Sequence, residues 1–298
     1  MLQLVRKVYP LILSFFLASC SYTFLPMACE YPTAGRISRV LQLSDSINET
    51  SGLLWENDTF LTFNDSGGEA ALYSFTDSIP LIRKSLIYNS HNADWEAMAG
   101  NDEYIYIADV GNNFGRRDTL QIYRIEKRSQ LTDETEGGLE KHLEITAIIS
   151  FSYDEDSYTS EKGWYSHDCE ALLSFHDSLY LFAKDWVKKE TRVYVLPAKA
   201  GHYNIRAKYS YPVQALITGA DIDEVRREVV LVGYRNFMPV VIRYGFENDP
   251  GRISCGGKAR IYPRYAGTQV EGVCFDKEGR IFISSEKSLY KQALYRVY

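Results

Sequence analysis

An oxygen-bearing residue placed directly before Gly or Ala, at the head of an apolar strand, recurs five times in this 298-residue chain. The segments are SGLLW from Ser51, EAMAG from Glu96, EALLS from Glu170, TGADI from Thr218 and EGVCF from Glu271. They lie 45, 74, 48 and 53 residues apart. A period of roughly 40 to 50 residues is that of one propeller blade, a unit that cannot bury its faces without neighbours.

The segments downstream of each motif repeat as well. A second strand ends in polar residues (TFLTFND, EYIYIAD, SLYLFAKD, EVVLVGYR, RIFISSEK), and a third is rich in Tyr (ALYSF, LQIYRI, TRVYVL, VVIRYGF, ALYRVY). Fourth strands are read at LIRKSLIY, EITAIISFSY, YNIRAKYSY and ISCGGKARIY, and the fifth unit runs out of chain at Tyr298. GRISRVLQL, from Gly35, stands before the first motif and supplies the missing outer strand, which would close the ring and remove its open edges. The expectation is an all-β, five-bladed β-propeller over residues 35–298, with four-stranded antiparallel blades; six blades are the alternative. The long second interval is assigned to two polar insertions, KRSQLTDETEGGLEKHLE and DEDSYTSEKGWYSH, read as loops. Twenty-three tyrosines and the absence of any long 3.6-residue period agree with strands.

The first residues stand apart. MLQLVRKVYPLILSFFLASC has Arg6 and Lys7, a short apolar run and LASC, the pattern of a bacterial lipoprotein signal in which Cys20 is acylated. Residues 1–19 are therefore expected to be a signal peptide and 20–34 a lipidated tether. The apolar run is shorter than the roughly 20 residues a spanning helix needs. This places the protein at the bacterial cell envelope, held to the membrane by its lipid. Ser21 lacks the acidic side chain that marks inner-membrane retention, so the outer membrane is the expected site, with the leaflet open. Lys and Arg number 33 against 39 Asp and Glu, an acidic balance that argues against nucleic acid as a partner. Cys169 and Cys274 fall in apolar strands and read as buried free thiols.

First strands of a propeller line its central channel. Ser51, Glu96, Glu170, Thr218 and Glu271 should then converge at one mouth. Two carboxylates about 5 Å apart repel by roughly 3 kcal/mol at an effective dielectric near 20. Such a site must protonate, recruit a base or bind a cation. Three carboxylates with Ser and Thr hydroxyls form an all-oxygen set suited to Ca²⁺, which accepts irregular six- to eight-fold coordination.

The series Ser-Gly-Leu, Glu-Ala, Glu-Ala, Thr-Gly and Glu-Gly resembles the blade-entry motifs of the calcium-activated nucleotidases, the secreted apyrases. The resemblance implies a five-bladed propeller with Ca²⁺ on its axis, the ligand positions being Ser51, Glu96, Glu170, Thr218 and Glu271; Thr218 replaces a Ser of the family. NDSGG, from Asn64, matches the family's paired-aspartate loop only at Asp65, and Ser66 stands where the family has a basic residue.

Because first and second strands are antiparallel, Asp65, Asp109, Lys184, Asp185, Tyr234, Arg235, Ser285 and Glu286 should ring the same mouth, joined by Asp94, Trp95, Asp168 and the loop around Trp164. This arrangement allows two functions. As a Ca²⁺-dependent hydrolase of phosphoanhydrides, phosphate esters, other esters or lactones, the chain would use Asp65 or Asp109 to orient water. Lys184, Arg235 or Arg116 would stabilise developing charge, and Asp185 is a further catalytic candidate at this mouth. As a binding module with structural Ca²⁺, the same mouth would recognise a glycan, peptide or partner protein, and DVGNNFGRRD and Trp186 would serve as contacts or as turn and cap. No G-x-S-x-G elbow, no G-x-x-x-x-G-K-[ST] loop and no Cys or His pair at metal-ligand spacing is present, and His167 reads as structural.

Overall fold

The computed structural model describes residues 30–32, 35–130, 140–154, 167–254 and 258–298. The signal sequence, Cys20 with most of the tether, and Trp164 lie outside these residues.

The strands run in chain order as β1 (Ile37–Gln42), β2 (Thr50–Glu56), β3 (Thr59–Asn64), β4 (Ala71–Phe75), β5 (Arg83–Tyr88), β6 (Trp95–Gly100), β7 (Tyr104–Asp109) and β8 (Leu120–Glu126). They continue as β9 (Glu140–Tyr153), β10 (Asp168–Phe175), β11 (Ser178–Lys184), β12 (Thr191–Pro197), β13 (Gly201–Ile205) and β14 (Tyr209–Tyr211). The last are β15 (Leu216–Asp223), β16 (Glu228–Arg235), β17 (Met238–Gly245), β18 (Lys258–Ile261), β19 (Val270–Phe275), β20 (Ile281–Ser285) and β21 (Ala293–Val297).

Among the described residues these strands build five antiparallel four-stranded units: β2 to β5, β6 to β9, β10-β11-β12-β14, β15 to β18, and β19-β20-β21 completed by β1. The N-terminal strand closes the last unit as expected, Ile37 pairing with Val297 and Gln42 with Ala293. The first strands stand side by side in cyclic order β2, β6, β10, β15, β19 and back to β2. Among the described residues the core is divided into several apolar layers. Each pair of neighbouring units buries its own apolar layer, such as Leu43, Phe60, Phe75 and Phe282 between the fifth and first units, and Phe175, Phe182, Leu231 and Ile242 between the third and fourth. The Tyr residues that mark the third strands, Tyr73, Tyr123, Tyr194, Tyr244 and Tyr295, are all buried in these layers. Cys169 and Cys274 are free and buried there too.

Two readings need correction. The stretch around Glu140 is not wholly loop: Glu140–Glu144 begins β9 and pairs in parallel with β5, so β9 first runs along the outer strand of the first unit before serving as the outer strand of the second. Likewise YNIRAKYSY is not one strand. Its front half, in β13, pairs in parallel with β9 of the preceding unit, and only Tyr209–Tyr211 completes the third unit. Both exchanges cover an outer edge that would otherwise be exposed.

Candidate functional site

The five motif positions coincide with irregularities in the first strands. Pairing skips Glu96 between Trp95 and Ala97, Glu170 between Cys169 and Ala171, Thr218 between Ile217 and Gly219, and Glu271 between Val270 and Gly272. In β2 the skip follows Ser51, with Gly52 and Leu53 opposite Thr62 alone. A bulge releases one residue from the ladder and re-aims its side chain. Here it does so for Glu96, Glu170, Thr218 and Glu271, while in β2 Ser51 keeps its pairing with Phe63 and the irregularity follows it. The small residue after each bulge lets the strands crowd together: a Cβ on Gly272 would lie 2.8 Å from the carbonyl carbon of Gly52. The side chains of Glu96, Glu170, Thr218 and Glu271 line a narrow cavity of about 10 Å³ at the hub, room for roughly one water.

Each oxygen has a distinct environment. The Ser51 hydroxyl donates to the Glu96 carbonyl at 2.9 Å, and that of Thr218 to the Val270 carbonyl at 2.6 Å, stitching neighbouring first strands. Glu170 is neutralised by Lys184, whose Nζ lies 2.5 Å from Glu170 Oε1 and 3.5 Å from Asp168 Oδ2. Trp186 covers this pair, its Nε1 donating to Asp168 and its ring lying under the ammonium at 4.7 Å. Burial would lower the Lys184 pKa, but the charges of Glu170, Asp168, Glu96 and Glu271 outweigh it and hold the ammonium above its ordinary range. Glu271 accepts from the Tyr234 hydroxyl at 2.9 Å. Its carboxyl is pushed up to about 8 by burial and the charge of Glu286, against the pull of Lys184 and Tyr234.

Glu96 differs from the other two. It is 6% exposed, and among the described residues no hydrogen bond or ion pair reaches its carboxylate. Burial, and then the charges of Glu170, Asp65 and Asp168, raise its pKa well above the ordinary range. It also has acidic company at the mouth: one oxygen each of Asp65, Asp94 and Glu96 lie within 4.8 Å of one another. Burial, with the charges of Asp94 and Glu49, lifts Asp65 to about 6 although the Ser66 N–H pulls the other way. Glu286, on the same mouth, is lifted to about 7 by burial and by Asp65 and Glu49. Asp94 stands in the loop before β6, where no repeat marks it. Its role in the cluster shows through Gly111, whose Cα faces Asp94 Oδ2 and Glu96 Oε1 so closely that a Cβ would strike both.

The remaining candidates are placed differently. Asp109 pairs with Arg117 at 2.7 Å and accepts from the Asp94 N–H and the Tyr123 hydroxyl. Asp185 accepts the N–H groups of Val187 and Lys188, shaping the loop after β11. Arg235 lies over the ring of Tyr31, 5.6 Å from its centroid. Asn112 builds the DVGNNFGRRD turn, its Oδ1 accepting the N–H groups of Arg116 and Arg117 and its Nδ2 donating to the Arg117 carbonyl. His167 is buried beside Tyr153 and Arg192. Of the five catalytic candidates, Asp65 and Lys184 are thus the ones among the carboxylates of the hub.

No family model and no curated protein matches the sequence. Among solved structures, glutaminyl cyclase from Myxococcus xanthus is similar over 90% of this chain and 97% of its own, at 12% sequence identity and a TM-score of 0.53. The fold is a β-propeller. Looser likenesses are to a glucose dehydrogenase, at 8% identity, 88% and 99% coverage and a TM-score of 0.48, and to a putative oxidoreductase of Thermus thermophilus, at 11%, 89% and 100%, and 0.46. At such identities a shared propeller speaks for architecture, and the chemistry has to be read from the site itself.

Proposed function

We propose that the chain is a divalent-cation-dependent hydrolase working at the mouth of the propeller, with phosphoanhydrides, phosphate esters or other esters as substrates and Ca²⁺ as the ion. The observation that carries this is the surplus of negative charge at the hub. Glu96, Glu170 and Glu271 are gathered with Asp65, Asp94 and Asp168, and Lys184 accounts for one of these charges and part of a second. The donor chemistry fits a hard ion. Asp65, Asp94 and Glu96 would hold it, since Glu170 is engaged by Lys184 and Glu271 by Tyr234. When bound, Ca²⁺ would neutralise these carboxylates and polarise a substrate oxygen.

The chain's own residues supply the rest. Lys184, fixed by Glu170, Asp168 and Trp186, positions the carboxylates. Glu286, with a pKa near 7, is suited to take a proton from water at neutral pH. In keeping with the leader sequence, the protein is proposed to be lipid-anchored at Cys20 in the cell envelope.

Two measurements test this. Chelator should lower the melting temperature and Ca²⁺ restore it; an unchanged melting curve removes the metal from the reading. Nucleoside diphosphates, phosphate monoesters and lactones are then assayed with Asp65→Asn as control. Calcium-dependent melting with no turnover across that panel selects the binding-module reading, which the aromatic and cationic side chains at the rim favour.

A further inference from the structure

Four of the five loops joining second to third strands carry the same pairing of an exposed apolar side chain with a base. The loop after β7 presents Phe114, 62% exposed, with the Arg116 guanidinium over its ring. The loop after β11 presents Val187 beside Lys188. The turn after β16 presents Phe237, 82% exposed, next to Asn236 and Arg235, and the loop after β20 presents Leu289, 84% exposed, and Tyr290 between Lys287 and Lys291. Antiparallel pairing puts all four on the mouth face. The exception is the loop after β3, Asp65–Ala70, which has acids and small residues and no large apolar side chain.

Single exposed apolar residues are ordinary; corresponding positions in four successive units, each flanked by positive charge on an acidic protein, are not. Phe237 is the sharpest case. Asn236 and Phe237 form a two-residue hairpin turn between Arg235 and Met238, with φ of 51° and 62°. The second position of such a turn suits Gly, and a bulky aromatic there is strained. Yet the ring is held out into solvent, so packing does not explain it. Tyr31 also fixes the described start of the chain at this face, its hydroxyl donating to the Val213 carbonyl at 2.5 Å while Ile261 N–H donates to the Pro32 carbonyl.

We propose that this rim is a membrane-docking surface: the four loops insert their apolar tips at the headgroup level of an anionic phospholipid bilayer while Arg116, Lys188, Lys287 and Lys291 meet the lipid phosphates. Apolar tips flanked by Lys and Arg are the chemistry of an interfacial contact. A lipid on Cys20 would lie within about 40 Å of extended chain from Tyr31, long enough to allow this contact and too loose to impose it. The acidic loop after β3 stays in water and leaves the Asp65 side of the mouth open to solutes. The rim contact does not depend on the hydrolase reading.

The test places an environment-sensitive fluorophore at one of three positions in the full chain, through Phe237→Cys, Leu289→Cys or Val225→Cys, with Cys29 and Cys255 changed to Ser. Val225 is 91% exposed on the opposite face and serves as control. The labelled proteins are bound to phosphatidylglycerol-containing vesicles carrying a headgroup nitroxide. Labels at 237 and 289 should be quenched at least about threefold more than at 225, and exchanging Lys188, Lys287 and Lys291 for Gln should remove more than half of that difference. Equal quenching at all three positions, or none at 237 and 289, overturns the proposal. So does shielding of the rim labels from aqueous iodide without vesicles, which would mean that protein covers this surface. All three labelled sites are exposed, and melting curves matching the unlabelled chain verify folding independently of lipid.

Discussion

Replacing Lys184 by Met tests the electrostatic account of the hub most directly. The ammonium has two buried acidic partners, Glu170 at 2.5 Å and Asp168 at 3.5 Å, with side chains 6% and 0% exposed. At an effective dielectric near 20 these contacts attract by roughly 7 and roughly 5 kcal/mol before desolvation is counted. Desolvation of the three groups offsets most of that sum. Removing the cation alone keeps the desolvation cost and loses the attraction, so Lys184→Met should cost about 3–5 kcal/mol. Glu170→Gln alone should cost less, because Lys184 keeps Asp168. The double variant should lie well short of the sum, with a coupling of about 2–3 kcal/mol, since it removes both halves of the closer pair. The assay is urea unfolding of the four proteins at pH 7.5 in chelator, followed by Trp fluorescence. A loss under about 1 kcal/mol for Lys184→Met, or additivity within about 0.5 kcal/mol, would refute the idea that this ion pair is what makes Glu170 tolerable.

Other outcomes rest on single features. Gly111→Ala should push Asp94 and Glu96 apart, lowering stability by about 1–3 kcal/mol and abolishing the rise in melting temperature on adding Ca²⁺; differential scanning fluorimetry with and without the ion reads both. Asp221, raised to about 7 mainly by burial, still accepts the Phe275 N–H at 2.7 Å. Because its folded pKa lies above the unfolded one, its contribution is fully present below about pH 4 and is lost as pH rises through 7. Asp221→Asn keeps the acceptor and should gain on the parent between pH 4 and pH 8 by at most about 4 kcal/mol; a flat difference across that range in urea titrations contradicts the assignment. Phe237→Gly should relax the strained turn and stabilise the fold by about 0.5–1 kcal/mol while weakening vesicle binding, and a loss of stability would show that the ring packs after all.

Architecture was readable from the sequence because a repeating unit writes its period into composition. The Tyr-rich third strands and the closing strand from Ile37 are set by burial, and burial is what apolar patterning encodes. Partner exchange between units is another matter. The pairing of β13 with β9 joins strands of different units, and nothing in GHYNI distinguishes an outer strand of its own unit from one lent to the preceding unit. At the hub the residue types were visible and the pairings were not. Lys184 ends its strand much as Asp109 ends another, yet one side chain reaches the axis and the other is held by Arg117. Asp94 carried no periodic signal because it belongs to a linking loop, whose geometry the repeat does not constrain. Gly111 was the trace it left, a glycine at a position with ordinary φ where the reason is crowding by carboxylates rather than backbone freedom.

The bulges explain why the motif pairs an oxygen-bearing residue with Gly or Ala. In a regular strand, neighbours point to opposite faces, and each face of a propeller blade is packed against the next unit. A glutamate on either face would be buried in apolar contact, as would its displacement by one residue. Skipping the residue in the ladder gives a third direction, toward the axis, where no sheet lies. That direction is crowded by five backbones, and the residue after the skip must therefore be small: a Cβ on Gly52 would lie 3.0 Å from the Met98 nitrogen, and one on Gly219 would lie 3.4 Å from the Glu271 carbonyl oxygen. The same crowding brings carboxylates of different units together. The chain has thus used one backbone irregularity, repeated around a ring, to hold acids that would repel one another. Stability alone would be better served by apolar residues at these positions, which is the physical reason to look for function at this mouth before any other part of the molecule.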